Sequence, residues 1–424
     1  METQPRQTLL HQWHISRGAK MSVFGGYDMP LWYASALNEH LTVIGRAGLF
    51  DTGHMASVMV TGADAFDLLQ HCFTNDLTGC VGKEKKALFP GRCVYGAFLD
   101  EKGGVIDDAI VFMMGKGEYL VVVNAGMGQT IAAQLSANRG KRNVSITDLT
   151  DQVGKMDIQG PFSAKILQKV LSDPQKVFDN MPYFSFKGHF DETSPLSSQI
   201  RLKDHTPILL SRTGYTGEFG FEIFLTPAHF LRVWEMLMKT GEEFGLTACG
   251  LAARDSLRAG AVLPLSHQDI GHWPFIRHPW SFALPYAKDG KGFTKDFTGS
   301  QALLNAEHAE YTCPFAGDDP RKVTLPAIAA DAEGHEIGTV LTCATDMAIG
   351  RHNGKIFSIA SPNKPDGFSP KGLSCGFVKV KKKLSPGDIV ELHDGRRKIK
   401  VHIVQDIRPD RTARKSMKNM LQYG

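Results

Sequence analysis

Two adjacent carboxylates, Asp107 and Asp108, follow Gly103-Gly104-Val105-Ile106 and precede the apolar run Ala109-Ile110-Val111-Phe112. Neighbours on a strand point to opposite faces, so one acid faces inward while the other meets solvent or the turn. An inward acid must find partners. The plain reading is a carboxylate that accepts from backbone amides of the Gly-Gly turn. The chemical reading is a buried Asp whose charge stabilises positive charge developing on an amine or iminium. Residue types alone leave both open.

A second cluster is Arg212-Thr213-Gly214-Tyr215-Thr216-Gly217-Glu218-Phe219-Gly220-Phe221-Glu222-Ile223. Turn residues lead into a strand on which Phe221 and Ile223 share one face and Glu222 the other. Glu222 either sits on a half-exposed strand or accepts, in bidentate fashion, from a heterocycle with adjacent N–H donors. The stretch holding Trp273, Phe275, Trp280 and Phe282 reads equally as an inter-domain core or as an aromatic wall for a substrate. His267, His272 and His278 lie nearby, but their spacing fits no zinc template, and no metal is expected. The runs Arg396 to Lys400 and Arg408 to Lys415 read as a solvated face or as a cationic rim for an acidic partner.

These groups need elements to hold them. Ser35 to Ala47 has the apolar spacing of an amphipathic helix, which Gly48 is expected to end. Ala56 to Val60, Val94 to Leu99, Ala109 to Phe112 and Tyr119 to Val123 read as strands, with Asp100-Glu101-Lys102-Gly103-Gly104 closing a hairpin. Helices are expected over Gln129 to Ala137, Pro227 to Thr240 and Leu251 to Ala259, so the region is α+β, and no G-x-G-x-x-G follows a strand. Glu310 to Arg321, polar with two prolines, is the best linker candidate. The short strand-like runs beyond it suggest a small all-β barrel or sandwich.

Composition narrows the class. With 424 residues the chain can bury a large core and divides into two or three domains. A net charge of +4 with scattered basic residues advertises no groove for long nucleic acid. Seven cysteines without a C-x-x-C pair argue against a disulfide framework and point to a reducing compartment. No apolar stretch spans a bilayer and no signal-like segment opens the chain, so a soluble cytoplasmic protein is expected.

Several motifs stand in the order in which the T-protein (aminomethyltransferase) family of the glycine cleavage system carries them. They are Phe24-Gly25-Gly26-Tyr27-Asp28-Met29-Pro30, Gly48-Leu49-Phe50-Asp51-Thr52-Gly53-His54-Met55, Gly103-Gly104-Val105-Ile106-Asp107-Asp108, Val122-Val123-Asn124-Ala125, Gln159-Gly160-Pro161, Gly214-Tyr215-Thr216-Gly217-Glu218 and Gly250-Leu251-Ala252-Ala253-Arg254-Asp255. The chain resembles that family over roughly residues 8 to 305. The resemblance implies three domains in a ring around a folate-binding funnel: residues 1–60 with 150–255, residues 61–149 with 256–309, and a C-terminal β domain at 310–424. It implies tetrahydrofolate as co-substrate and matches Asp108 to the family's catalytic aspartate. Met55, Tyr95, Asn124, Tyr215, Glu222 and Arg254 match positions that line or hold the folate.

The chain departs from the family on one side. T-proteins read arginine-leucine-glutamate-alanine-glycine and then leucine-tyrosine-glycine, where this chain has Arg258-Ala259-Gly260-Ala261-Val262 and then Leu265-Ser266-His267. Trp273, Phe275 and Trp280 are therefore expected to form a rebuilt donor-side wall. The leading reading is aminomethyl transfer to tetrahydrofolate from a lipoyl carrier protein. The second is a tetrahydrofolate-dependent demethylase acting on a small N-, O- or S-methyl donor, and the third a non-catalytic folate-binding accessory protein. The last lacks support because its Lys-Gly-Cys-Tyr signature is absent and Asp108 is present.

Overall fold

The computed structural model describes residues 4–423. Two sheets and a barrel organise them. A five-stranded sheet runs in the order Cys93–Leu99, Val105–Gly115, Glu118–Val123, Ala56–Thr61, Ser145–Asp148. Its first two strands form the expected hairpin, with Asp107 opposite Phe98 and Asp108 opposite Ala97. The strand Ala56–Thr61 belongs to this sheet, so sheet membership changes just before the division expected at residue 60.

A six-stranded sheet runs in the order Phe186–Gly188, Leu209–Ser211, Gly220–Leu225, Gly154–Gln159, Ala47–Asp51, Leu246–Cys249. Every residue of Gly154–Gln159 and Gly220–Leu225 is buried, because helices cover one face and the cavity region the other. The helix Phe230–Gly241 buries Phe230, Val233, Trp234 and Leu237, a spacing that places them on one stripe. Removing all four from water is worth several kcal/mol at roughly 25 cal/mol per Å² of apolar area.

The helix Ala36–Gly45 starts at Ser35, whose hydroxyl accepts the Asn38 N–H. Gly48 does not end it, contrary to expectation; it lies inside the strand Ala47–Asp51, opposite Gln159 and Thr247. Close packing explains this glycine, since a β-carbon there would stand 2.6 Å from the Cys249 sulfur and from Val43.

The C-terminal strands close into a barrel in the order Tyr311–Gly317, Leu373–Val380, Glu336–Asp346, Ile328–Ala330, Ile389–His393, Lys398–Ile403. The linker expected at Glu310 to Arg321 is therefore a barrel strand in its first half. Tyr311–Gly317 pairs on both edges and is buried beyond Tyr311 despite Pro314, whose carbonyl still accepts the Val404 N–H. Among the described residues no helix is long and apolar enough to cross a membrane.

Candidate functional site

A cavity of about 1660 Å³ opens where both sheets, the helix Leu251–Gly260 and the barrel approach one another. Met55, Tyr95, Asp108, Asn124, Tyr215, Glu222 and Arg254 all border it, although they come from six separated segments of the chain.

The acid pair sits on the five-stranded sheet. Asp108 accepts from the Tyr95 hydroxyl at 2.8 Å through Oδ2 and from Asn124 Nδ2 at 2.7 Å through Oδ1. Tyr95 reaches it because the two residues lie diagonally across the hairpin. Asp107 does not itself border the cavity and is fully buried. It accepts the Asn124 backbone N–H at 2.9 Å, Asn124 Nδ2 at 2.7 Å and the Ser266 hydroxyl at 2.8 Å. The turn amides of Lys102 and Gly104 donate instead to Asp100, so the plain reading of a turn-capping carboxylate belongs to Asp100. Asn124, taken from the sequence as a folate contact, joins the two acids with one amide group.

Every hydrogen-bond partner of the pair is neutral. Burial, and then the charge of Asp108, pushes the Asp107 carboxyl up to about 7 against the donors from Asn124 and Ser266. Burial also raises Asp108, opposed by Tyr95 and Asn124. An anion at Asp108 therefore lacks a counter-ion in contact, and a cation bound in the cavity would supply one.

The six-stranded sheet presents a different arrangement. Asp157 and Glu222 are direct cross-strand partners, a repulsive placement if nothing intervenes. Lys155, on the same face of the strand as Asp157, resolves it: its ammonium lies 2.6 Å from Asp157 and 2.8 Å from Glu222. Arg254, from the helix, takes the other Asp157 oxygen at 2.8 Å, and Thr52 donates to Asp157 at 3.0 Å. Burial works to raise Asp157, but Lys155 and Arg254 outweigh it and hold the carboxyl below its usual range. Thr213 donates to the Glu222 oxygen that Lys155 leaves free. The Arg254 guanidinium lies 4.9 Å from the Tyr215 ring centroid, and the Tyr215 hydroxyl donates to the Pro264 carbonyl. His54 also borders the cavity, and burial, then Arg254, pushes its imidazole down to about 4, so it is neutral near pH 7.

Lys155 and Asp157 were not picked out from the sequence. Their signal was the alternation Lys155-x-Asp157-x-Gln159, which resembles a half-exposed strand; here the polar face meets a buried ion chain.

The aromatic stretch behaves differently from the expected donor wall. Phe275 and Trp280 are buried in a cluster with Leu99, Val105 and Phe377, which joins the hairpin to the barrel. Trp280 backs the cavity, but its indole N–H is spent on the Val262 carbonyl at 2.8 Å. Trp273 and Phe275 do not border the cavity; Trp273 lies under the Lys379 ammonium, 4.2 Å from its ring. The physical reason is that residues 271–275 strap the Gly103-Gly104 turn. Val105 N–H donates to Gly271 and Phe275 N–H to Gly103, and a β-carbon on Gly104 would meet the His272 backbone at 3.1 Å. The exposed aromatic at the cavity is Phe282, 57% exposed, its ring 5.7 Å from that of Tyr95.

The C-terminal basic run also splits up. Arg408 is buried, bonded to Asp346 at 2.5 Å and Glu218 at 3.2 Å, and is a clamp between barrel and sheet. Arg411 pairs with Asp406, while Arg414 borders the cavity and lies 5.2 Å from the Tyr183 ring.

The sequence profile of the GCVT N-terminal domain matches residues 10–273. An aminomethyltransferase of Streptomyces coelicolor is 34% identical over 358 residues, 82% of this chain and 88% of its own length. One of Natranaerobius thermophilus is 31% identical, covering 92% of this chain and 98% of its own. The crystal structure of glycine cleavage system aminomethyltransferase T from Bartonella henselae superposes with a TM-score of 0.74 at 26% identity, over 94% of this chain and 96% of that one. The chain belongs to the glycine cleavage T-protein family of aminomethyltransferases.

Proposed function

We propose that this protein transfers an aminomethyl-derived one-carbon unit to N5 of tetrahydrofolate, with a lipoyl carrier protein as the donor's vehicle and ammonia as the leaving group. The observation that carries the reading is Asp108, a carboxylate at the cavity whose hydrogen-bond partners, Tyr95 and Asn124, are both neutral. Such a group stabilises a cationic centre far better than one already neutralised by a basic side chain.

Tetrahydrofolate supplies the nucleophilic nitrogen and accepts the carbon. The residues fit it: Glu222 keeps free lone pairs beside the cavity, and Tyr215 with Arg254 offers a flat cationic–aromatic face. A drug-sized ligand needs about 300–1,000 Å³, so a cavity of about 1660 Å³ leaves room for the donor arm. Tyr95 and Asn124 fix the Asp108 carboxylate in place, so no reorganisation is needed when charge develops. On this reading Met55, Tyr95, Asn124, Tyr215, Glu222 and Arg254 form the folate-side wall. The two sheets and the barrel correspond to three domains, and the protein works in the cytoplasm.

Incubation with tetrahydrofolate and an aminomethyl-loaded lipoyl carrier tests this directly. Methylenetetrahydrofolate is the expected product. Methyltetrahydrofolate formed from a small methylated donor would replace the reading by the demethylase alternative. Saturable folate binding with no turnover of either donor class would leave the accessory role. The relatives favour neither alternative.

A further inference from the structure

His267 is exposed and holds its backbone in the left-handed region at φ +62°. A β-carbon is strained there and glycine is the low-cost residue, so the imidazole is kept in place at a conformational cost. Its Nε2 stands 3.6 Å from Asp107 Oδ1, with the histidine side chain 42% exposed and the aspartate side chain fully buried. The same Oδ1 accepts the Ser266 hydroxyl at 2.8 Å. Of these three residues Ser266 alone borders the cavity. One carboxylate oxygen therefore separates a hydroxyl at the cavity from an imidazole at the outer surface.

We propose that Ser266, Asp107 and His267 form a proton conduit between the cavity and the outer surface. The proposal rests on the transfer reading, because a secondary amine that takes a new carbon must shed its proton. A proton arriving at Ser266 Oγ is matched by the hydroxyl's own proton passing to Asp107 Oδ1. The carboxyl hands it to His267 Nε2, and the proton on Nδ1 leaves to solvent. Each O–H or N–H bond broken is matched by one formed, nothing is oxidised, and exchange at the exposed ring restores the starting tautomer.

Burial and the Asp108 charge push the Asp107 carboxyl up to about 7, while burial, opposed by Asp108, lowers the imidazole from 6.5, so an ordinary carboxyl's deficit in proton affinity against an imidazole is gone. The charged or titratable groups facing the imidazole are Asp107, Asp108 and His272, whose ring centroid lies 6.4 Å away. The 3.6 Å separation closes with a small rotation of an exposed ring.

His267→Gly separates this role from a structural one, since it removes the imidazole and relieves the backbone strain together. The variant should melt at a higher temperature than the wild type, bind tetrahydrofolate with unchanged affinity, and turn over about tenfold more slowly, with added free imidazole restoring the rate. Ser266→Ala should lose a similar factor without rescue. Unchanged turnover in His267→Gly, or a loss that imidazole does not restore, overturns the conduit. A second measurement does not depend on folate chemistry. The His267 ring resonances, followed by nuclear magnetic resonance, should show a second inflection near pH 7 as Asp107 loses its proton, and Asp107→Asn should abolish it. A single inflection in the wild type overturns the contact. A wild type that shows this coupling yet transfers no one-carbon unit refutes the transfer reading and not the conduit.

Discussion

On the six-stranded sheet Glu222, Lys155 and Asp157 pair with Arg254 of the neighbouring helix into a neutral buried chain, whereas on the five-stranded sheet Asp107 and Asp108 lie side by side with neutral hydroxyl and amide donors. Both walls border one cavity, and both place carboxylates on adjacent positions of a pleated surface. The difference is whether a cation was built in. A carboxylate that already holds a lysine offers shape and lone pairs to a neutral heterocycle. One held only by neutral donors keeps its field for a charge that arrives with the reaction. On the proposed function, recognition falls to one sheet and chemistry to the other.

The comparison breaks first at Lys155. Lys155→Met leaves Asp157 and Glu222 facing each other across the sheet, and loss of one partner from a buried ion pair costs about 3–5 kcal/mol. Denaturant titration should show that loss. A variant as stable as the wild type would mean that the chain of charges is not what holds this wall.

Next is Tyr95→Phe, which removes one hydrogen bond to an anion while keeping the ring. A bond to a charged group contributes about 1.5–3 kcal/mol, so turnover should fall by roughly tenfold or more with the fold intact. An unchanged rate would show that Asp108 does not need its clamp.

The acid pair also has a pH signature. Asp107 keeps its proton up to about 7 in the fold, against an ordinary value of 3.8, so the native state binds more protons than the unfolded state between those limits. Its contribution to stability is therefore lost as pH rises through that window. Asn cannot titrate, so thermal unfolding of Asp107→Asn should gain on the wild type from pH 5 to pH 7. A constant difference would show that Asp107 is ionised throughout.

The smallest effect concerns the aromatics. Phe282→Ala should change donor use by a few-fold at most and leave melting unchanged, since the ring is 57% exposed. Phe275→Ala should instead cost about 3–5 kcal/mol of stability, because it empties a core site. The reverse pattern would restore the aromatic donor wall.

These contrasts also mark what the sequence could convey. The Phe230–Gly241 helix, the hairpin at Gly103-Gly104 and the acid pair were legible because each is local: a 3.6-residue stripe, a glycine turn, two carboxylates in a row. The lysine between Asp157 and Glu222 was not, because its meaning depends on a strand more than sixty residues away and on a helix further still. Trp273 and Phe275 were read as a wall because aromatic residues suit both cores and pockets. Only the hydrogen bonds to Gly103 and Gly271 decide which side of the hairpin they occupy. The barrel strand at Tyr311–Gly317 was hidden by flanking polar residues and Pro314.

Asp108→Asn is the most direct test of the division between the walls. It replaces one charged oxygen with an amide of nearly the same shape and touches nothing on the six-stranded sheet. Calorimetry with tetrahydrofolate and turnover should be measured on the same preparation. The expected result is a dissociation constant within a few-fold of wild type and a rate lower by a factor on the order of a hundred or more. Full activity, or equal losses of affinity and rate, would contradict the claim that the uncompensated acid on one sheet does the chemistry while the paired charges on the other hold the folate.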